Sequence, residues 1–366
     1  MFATRSVARH NHRTRPNTAE RSCGILNNYE RSNPATPYIV RGQNSTMTTI
    51  RGIGTYLPTA VVGNDELIER FEWDREFLED KLGIYQRHIA AEGEGAADMG
   101  VAAAEELFTK CPDLKREDVQ LLIVCTQNPD YGLPHTSALV QERLGLAKET
   151  ACFDIGLGCS GFVYGLAVVR SMLETLGLDN GLLVTSDPYS KVIDPADRGT
   201  SPLFGDGAAA TWITRVGAGG QIGEFTFGTD GSGARNLIVE PDNEGTRCLS
   251  MAGRNIFEFM LGTVPADAVR VAAANGISMD DVDLFLLHQA SNHMLSSLVR
   301  RMKLDPARVP IRIRDTGNLV SSSIPFLIAS LAREGALAGT TTLLSGFGVG
   351  LSWASTIVRF DADPIV

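Results

Sequence analysis

Short apolar runs alternate along most of the chain with longer stretches in which apolar residues return every three or four positions. Thr48–Thr55 predicts a first strand, ended by Tyr56-Leu57-Pro58, and Ala96–Phe108 predicts a helix. Leu121–Cys125 is unbroken apolar sequence, the pattern of a strand covered on both faces. Leu166, Val169, Leu173 and Leu176 mark one face of a further helix, which Gly177 ends, and Gly181–Thr185 predicts the next buried strand. Strands and helices in alternation place the chain in the α/β class.

The pattern repeats itself. Asp118–Cys125 is echoed by Asp281–His288 at an offset of 163 residues. Gly158-Cys159 opens an apolar helix that leads to a strand at Val184. Gly317-Asn318 likewise precedes the apolar helix Ile324–Leu331 and a strand over Thr341–Leu344. Order and spacing recur together, so the sequence is read as two similar halves, 47–215 and 216–366, packed as one unit. In this alignment Cys125 and His288 end equivalent strands, while Cys159 and Asn318 begin equivalent helices. Open α/β sheets build their sites beyond the carboxyl ends of their strands.

Composition narrows the function. The chain has 366 residues and a formal net charge of −10, but residues 1–46 hold seven Arg and two Glu and so carry +5. The remainder carries −15, which argues against nucleic acid as a partner. No apolar run approaches the roughly 20 residues of a membrane span. The six cysteines form no CxxC pair, so neither a zinc site nor a disulfide scaffold is expected, and free thiols in a reducing cytoplasm are. Residues 1–46 are expected to be a disordered basic extension. Two origins compete, an organelle transit peptide and translated upstream sequence, and the second is preferred, with Met47 starting the folded chain.

Cys159 has the most informative setting. Phe153–Ile155 reads as the end of a strand, Gly156-Leu157-Gly158 as a turn, and a helix follows. A thiol at a helix N-terminus meets unpaired N–H groups and the positive end of the helix dipole, which predicts a lowered pKa and a nucleophile. Small neighbours leave room for an electrophile and let N–H groups face an oxyanion. His288 follows a buried strand, and Gly317-Asn318 reads alone as a turn and cap; with Cys159 they supply the base and amide that thiol chemistry uses. His135 and His293 are weaker rivals.

These residues lie in a series of motifs: Gly83-Ile84 with Arg87-His88-Ile89, Gly158-Cys159-Ser160-Gly161-Phe162, Asp194–Thr200, Phe204–Ala209, Met251-Ala252-Gly253, His288-Gln289-Ala290, Gly317-Asn318 and Phe347–Trp353. In order and spacing the chain resembles the β-ketoacyl-acyl carrier protein synthase III family of the thiolase-like superfamily, from about Thr48 to Phe360. The resemblance implies a five-layered αβαβα fold of two duplicated halves, and a homodimer. It implies a catalytic triad of Cys159, His288 and Asn318, and an oxyanion hole of the Cys159 and Val349 backbones. The family's adenine-gripping Trp and Arg fall on Phe77 and Lys81, and its second Arg is kept as Arg198. The family's carrier-engaging Arg falls on His293, and the acyl-pocket residue contributed across the dimer falls on Leu133. The implied reaction is decarboxylative condensation of an acyl-coenzyme A primer with a malonyl thioester, on coenzyme A or an acyl carrier protein, in fatty acid or related biosynthesis. Coenzyme A thioesters are its substrates, and no metal or other cofactor is expected. The runner-up is an acyltransferase that makes an ester or amide from the same acyl-Cys. Relatives that condense without decarboxylation need an extra carboxylate near the Cys, which the sequence does not identify.

Overall fold

The computed structural model describes residues 47–241 and 247–366; the basic extension expected over residues 1–46 lies outside the described residues. The first half contains β1 (Thr49–Tyr56), β2 (Ala60–Gly63), α1 (Asn64–Phe71), β3 (Gln86–Ile89), α2 (Ala96–Lys110), β4 (Leu121–Cys125), α3 (Thr136–Arg143), β5 (Ala151–Ile155), α4 (Gly161–Leu176), β6 (Asn180–Asp187) and β7 (Gly207–Thr214). There follow β8 (Gly220–Thr229), β9 (Leu237–Pro241), β10 (Arg247–Met251), α5 (Gly253–Ala274), β11 (Leu284–Leu287), α6 (Asn292–Met302), α7 (Ser323–Arg333), β12 (Thr340–Gly348) and β13 (Ser352–Phe360). The periodicity in the sequence therefore locates the main elements; most ends move by a residue or two, and β12 runs four residues beyond the expected Leu344. Gly177, at φ +71°, closes α4 by donating its N–H to Leu173 O, a left-handed cap that glycine adopts without strain.

The nine main strands lie in the order β11-β12-β13-β8-β1-β7-β6-β4-β5. Read outward from the middle, each half follows the same plan. β1-β7-β6-β4 runs antiparallel, antiparallel, parallel, and β8-β13-β12-β11 does the same. Only Thr49 with Gln221 and Ile50 with Gly220 join the halves at the β1–β8 seam.

Side-chain alternation sorts the helices into layers. Leu121, Ile123, Leu286 and Leu344 point inward, where they pack with Phe162, Leu166 and Val169 of α4 and Ile324, Leu327 and Ile328 of α7. Leu122, Val124 and Val184 face outward onto Met99, Ala103 and Leu107 of α2. Phe285, Leu287 and Leu343 face the other way onto Met260 and Val264 of α5 and Leu295 and Leu298 of α6. The result is helix, sheet, helix, sheet, helix. The strands are unbroken apolar runs because both faces of each half-sheet are covered. The N-termini of the two central helices, α4 and α7, carry the candidate residues into the seam.

Candidate active site

Cys159 sits two residues before α4, where the end of β12 presses against it. A Cβ built on Gly348 would lie 2.9 Å from Cys159 Sγ, and one on Gly346 would lie 2.7 Å from Cys159 O. Only glycine lets the second half approach the nucleophile this closely. Beside it, Ser160 Oγ and Ser352 Oγ lie 2.7 Å apart across the seam.

Asn318 is fixed by its backbone. Gly317 turns the chain at φ +69°, Asn318 N donates to Leu203 O at 2.8 Å, and Gly205 N donates to Asn318 O at 3.1 Å. Its side-chain orientation is set by Val320, whose N–H donates to Asn318 Oδ1 at 2.9 Å and so identifies the other amide atom as the nitrogen. Val320 is a β-branched residue at φ +51°, a conformation that costs about 1–3 kcal/mol and persists where the surroundings over-determine it.

The serine run after Asn318 reads from sequence as turn and cap chemistry. In the structure each serine has its own buried task. Ser321 Oγ donates to Asp187, Ser322 Oγ donates to Thr185 O at 3.1 Å, and Ser323 Oγ lies 2.7 Å from His288 Nδ1. Ser323 Oγ also accepts Gln289 N–H at 3.3 Å, so its own proton is available to the imidazole. The serine that orients His288 was not identified from sequence, because a polar triplet beside a turn has a simpler explanation.

Cys159, His288 and Asn318 line one cavity of about 330 Å³, with Phe204, Met251, Phe257, Met294 and Phe347 as apolar walls and Arg254 and His293 also lining it. The size is that of a small-molecule site. Three residues from distant parts of the sequence are thus brought together.

Electrostatics overturn one expectation. The Cys159 thiol is not lowered by its place before a helix; burial, reinforced by the charge of Asp187, pushes it up to about 12. Hydrogen bonds from the Val349 and Cys159 backbones act the other way without prevailing. Burial likewise takes His288 down to about 3. The resting pair is a neutral thiol and a neutral imidazole. Alkylation of Cys159 by iodoacetamide, followed by peptide mass, is therefore expected to be slower at pH 7 than for a free cysteine and to climb through pH 10. A plateau below pH 8 would contradict the neutral thiol.

Asp187, absent from the sequence reading, is the carboxylate nearest in effect to the nucleophile. It is fully buried, and desolvation raises its pKa to about 6 although Gln127 N–H donates to it at 2.8 Å.

The residues expected to clamp the nucleotide lie around an aromatic cluster. Lys81 Nζ lies 5.9 Å above the Phe77 ring, but Arg198 lies 5.4 Å from the ring of Trp73 and 5.9 Å from that of Phe71. Trp73 stands between Phe71 and Phe77, at ring separations of 4.8 and 5.6 Å. A half-exposed aromatic cluster thus carries the Arg198 cation, and its tryptophan lies four residues before Phe77. Leu133 is 89% exposed, away from this chain's own Cys159 cavity.

Comparison with known proteins identifies the family. Residues 153–231 match the family profile of 3-oxoacyl-(acyl-carrier-protein) synthase III, and residues 272–360 match its C-terminal counterpart. Beta-ketoacyl-(acyl-carrier-protein) synthase III 2 of Streptomyces coelicolor is 35% identical over 86% of this chain and 95% of its own length. The chain belongs to this family. A crystal structure of a 3-oxoacyl-(acyl-carrier-protein) synthase III superposes with a TM-score of 0.81 at 37% identity, covering 86% of this chain and all of that one. The Pseudomonas aeruginosa synthase III gives 0.80 at 32%, covering 87% and 99%. The fold is thiolase-like, with its two duplicated halves, and family members are acyltransferases. No helix among the described residues is long and apolar enough to cross a membrane.

Proposed function

We propose that the protein condenses an acyl-coenzyme A primer with a malonyl thioester through an acyl-Cys159 intermediate. The observation that carries this reading is that Cys159, His288 and Asn318 line a single apolar cavity. In the first half-reaction the Cys159 sulfur attacks the primer's thioester carbon while its proton passes to the neutral His288. The carbonyl oxygen is held by the backbone N–H groups of Cys159 and Val349, the pair whose hydrogen bonds already bear on the sulfur. Coenzyme A leaves, its sulfur taking the proton back from His288, and the acyl group stays on the Cys159 sulfur.

In the second half-reaction the malonyl thioester carbonyl accepts hydrogen bonds from His288 and from the Asn318 amide. The Ser323 hydroxyl, 2.7 Å from Nδ1, accepts from that nitrogen while Nε2 takes the thiol proton in the first half-reaction, and donates to it in the second so that Nε2 carries the ring proton. Loss of carbon dioxide puts negative charge on the carbonyl oxygen, so both donors bind the enolate more strongly than the substrate. The carbanion attacks the acyl carbon, the sulfur departs, and a 3-oxoacyl thioester is released. The chemistry draws on coenzyme A thioesters as substrates and on no metal or other cofactor.

The adenine and diphosphate are assigned to the Trp73 and Phe77 rings with Arg198 and Lys81. The halves 47–215 and 216–366 each give one end of the site, Cys159 from the first and His288, Asn318 and Val349 from the second. We assign the assembly as a homodimer joined along β5. That edge strand offers unpaired backbone groups and half-buried Phe153 and Ile155, and it would bring the exposed Leu133 to the partner's acyl pocket. The acyltransferase alternative, which makes esters or amides, is disfavoured by an Asn318 oriented as a donor.

The test is a two-step mass measurement. Incubation with acyl-coenzyme A is expected to add the acyl mass to the Cys159 peptide. Malonyl-coenzyme A or malonyl carrier protein is then expected to remove it as a 3-oxoacyl thioester, and the faster of the two names the extender. Release to an alcohol or amine acceptor alone would favour the alternative.

A further inference from the structure

The cavity brings a thioester's arm to Cys159, so the acyl chain must lie past the sulfur, and Tyr189 and Gln127 belong to that region. Tyr189 is 3% exposed and packs in the same apolar cluster as Cys159, with its ring 5.1 Å from that of Phe204. Its hydroxyl donates to Gln127 Oε1 at 2.6 Å. Gln127 is held in turn by its N–H on Asp187. Its Oε1 lies 2.2 Å from where a Cβ on Gly158 would stand, directly beside the nucleophile. Neither residue lines the cavity that Cys159 opens into.

We propose that the hydrogen-bonded pair of Tyr189 and Gln127 is a bar across the acyl side of Cys159, and that it restricts the primer to short acyl groups of acetyl to butyryl size. The inference rests on the acyl-Cys159 reading above. A longer chain must push the phenol aside, which breaks a buried hydrogen bond and disturbs Leu249 and Leu351 of the same cluster. An acetyl group asks for no such movement. The glycines at 158 and 348 keep the nucleophile's own surroundings thin, so the tyrosine is what fills the space.

The experiment measures single-turnover acylation of Cys159 by intact mass, with acetyl-, butyryl- and octanoyl-coenzyme A. The wild-type protein is expected to take octanoyl at least ~10-fold more slowly than acetyl or butyryl. Tyr189→Ala is expected to raise the octanoyl-to-acetyl ratio ~10-fold or more, and Gln127→Ala, which frees the phenol without emptying its site, to raise it about 3-fold. Tyr189→Phe keeps the ring but loses the same hydrogen bond, and is expected to raise the ratio about as far as Gln127→Ala and less than Tyr189→Ala. Equal wild-type rates for octanoyl and acetyl would overturn the bar, as would a folded Tyr189→Ala protein with an unchanged ratio. Acylation by none of the three would instead overturn the acyl-Cys159 reading itself.

Discussion

Cys159→Ala is expected to lower both acylation and overall condensation by ~10⁴-fold or more, because each half-reaction runs through a bond to that sulfur. The substitution is mild for the fold. Alanine fits wherever the cysteine does: the approach of Gly346 to the backbone and of Gly348 to Cβ remains, and only the Gly348 contact with Sγ is lost. Cys125, at the end of β4 and against Gly161 at the start of α4, is the natural substitute, but it cannot take over. Its Sγ donates to Leu157 O at 3.1 Å, it is fully buried, and burial holds its thiol well above the ordinary range. Acyl mass on the Cys125 peptide in the variant, or condensation within ~10-fold of wild type, would remove Cys159 from the mechanism. Circular dichroism of the variant shows whether the fold survived.

What the sequence made legible follows from the range of the forces involved. The layered fold was readable because burial on both faces of a half-sheet leaves an unbroken apolar run, as at Leu121–Cys125 and Leu284–Leu287. The duplicated plan was readable because equal folds impose equal spacings. Cys159 stood out because its chain neighbours, Gly158, Ser160 and Gly161, are part of its chemistry. Long-range properties did not show. The helix-terminus argument gave the wrong direction for the thiol, since the layers that bury it and the charge of Asp187 come from elsewhere in the chain. Ser323 could not be paired with His288 from its triplet, because a separation of 35 positions says nothing of their 2.7 Å contact. The contact of Arg198 with Trp73 did not show either, because it joins residues 125 positions apart in the chain. Val320 gave no signal at all, since a valine at positive φ is stabilised by its surroundings and not by its type.

Asn318 offers the sharper test, because its two amide atoms have separate tasks. Asn318→Ala is expected to keep acylation within about threefold and to lower malonyl decarboxylation and condensation by ~10²–10³-fold, the usual cost of one donor to a developing oxyanion. That substitution also takes away the acceptor of the Val320 N–H, leaving a buried donor without its partner in an already strained turn, at a cost of about 1–3 kcal/mol in stability. A loss of condensation in the alanine variant alone could therefore reflect a collapsed turn. Asn318→Asp separates the two. Its carboxylate still accepts from Val320, so thermal stability is expected to stay nearer wild type than in the alanine variant. The nitrogen donor is gone, and negative charge now faces the enolate. Condensation is expected to fall at least as far as in the alanine variant, read as release of carbon dioxide from malonyl-coenzyme A by the pre-acylated enzyme. If Asn318→Asp decarboxylates at the wild-type rate, the residue serves the turn and not the enolate, and the second half-reaction rests on His288 alone.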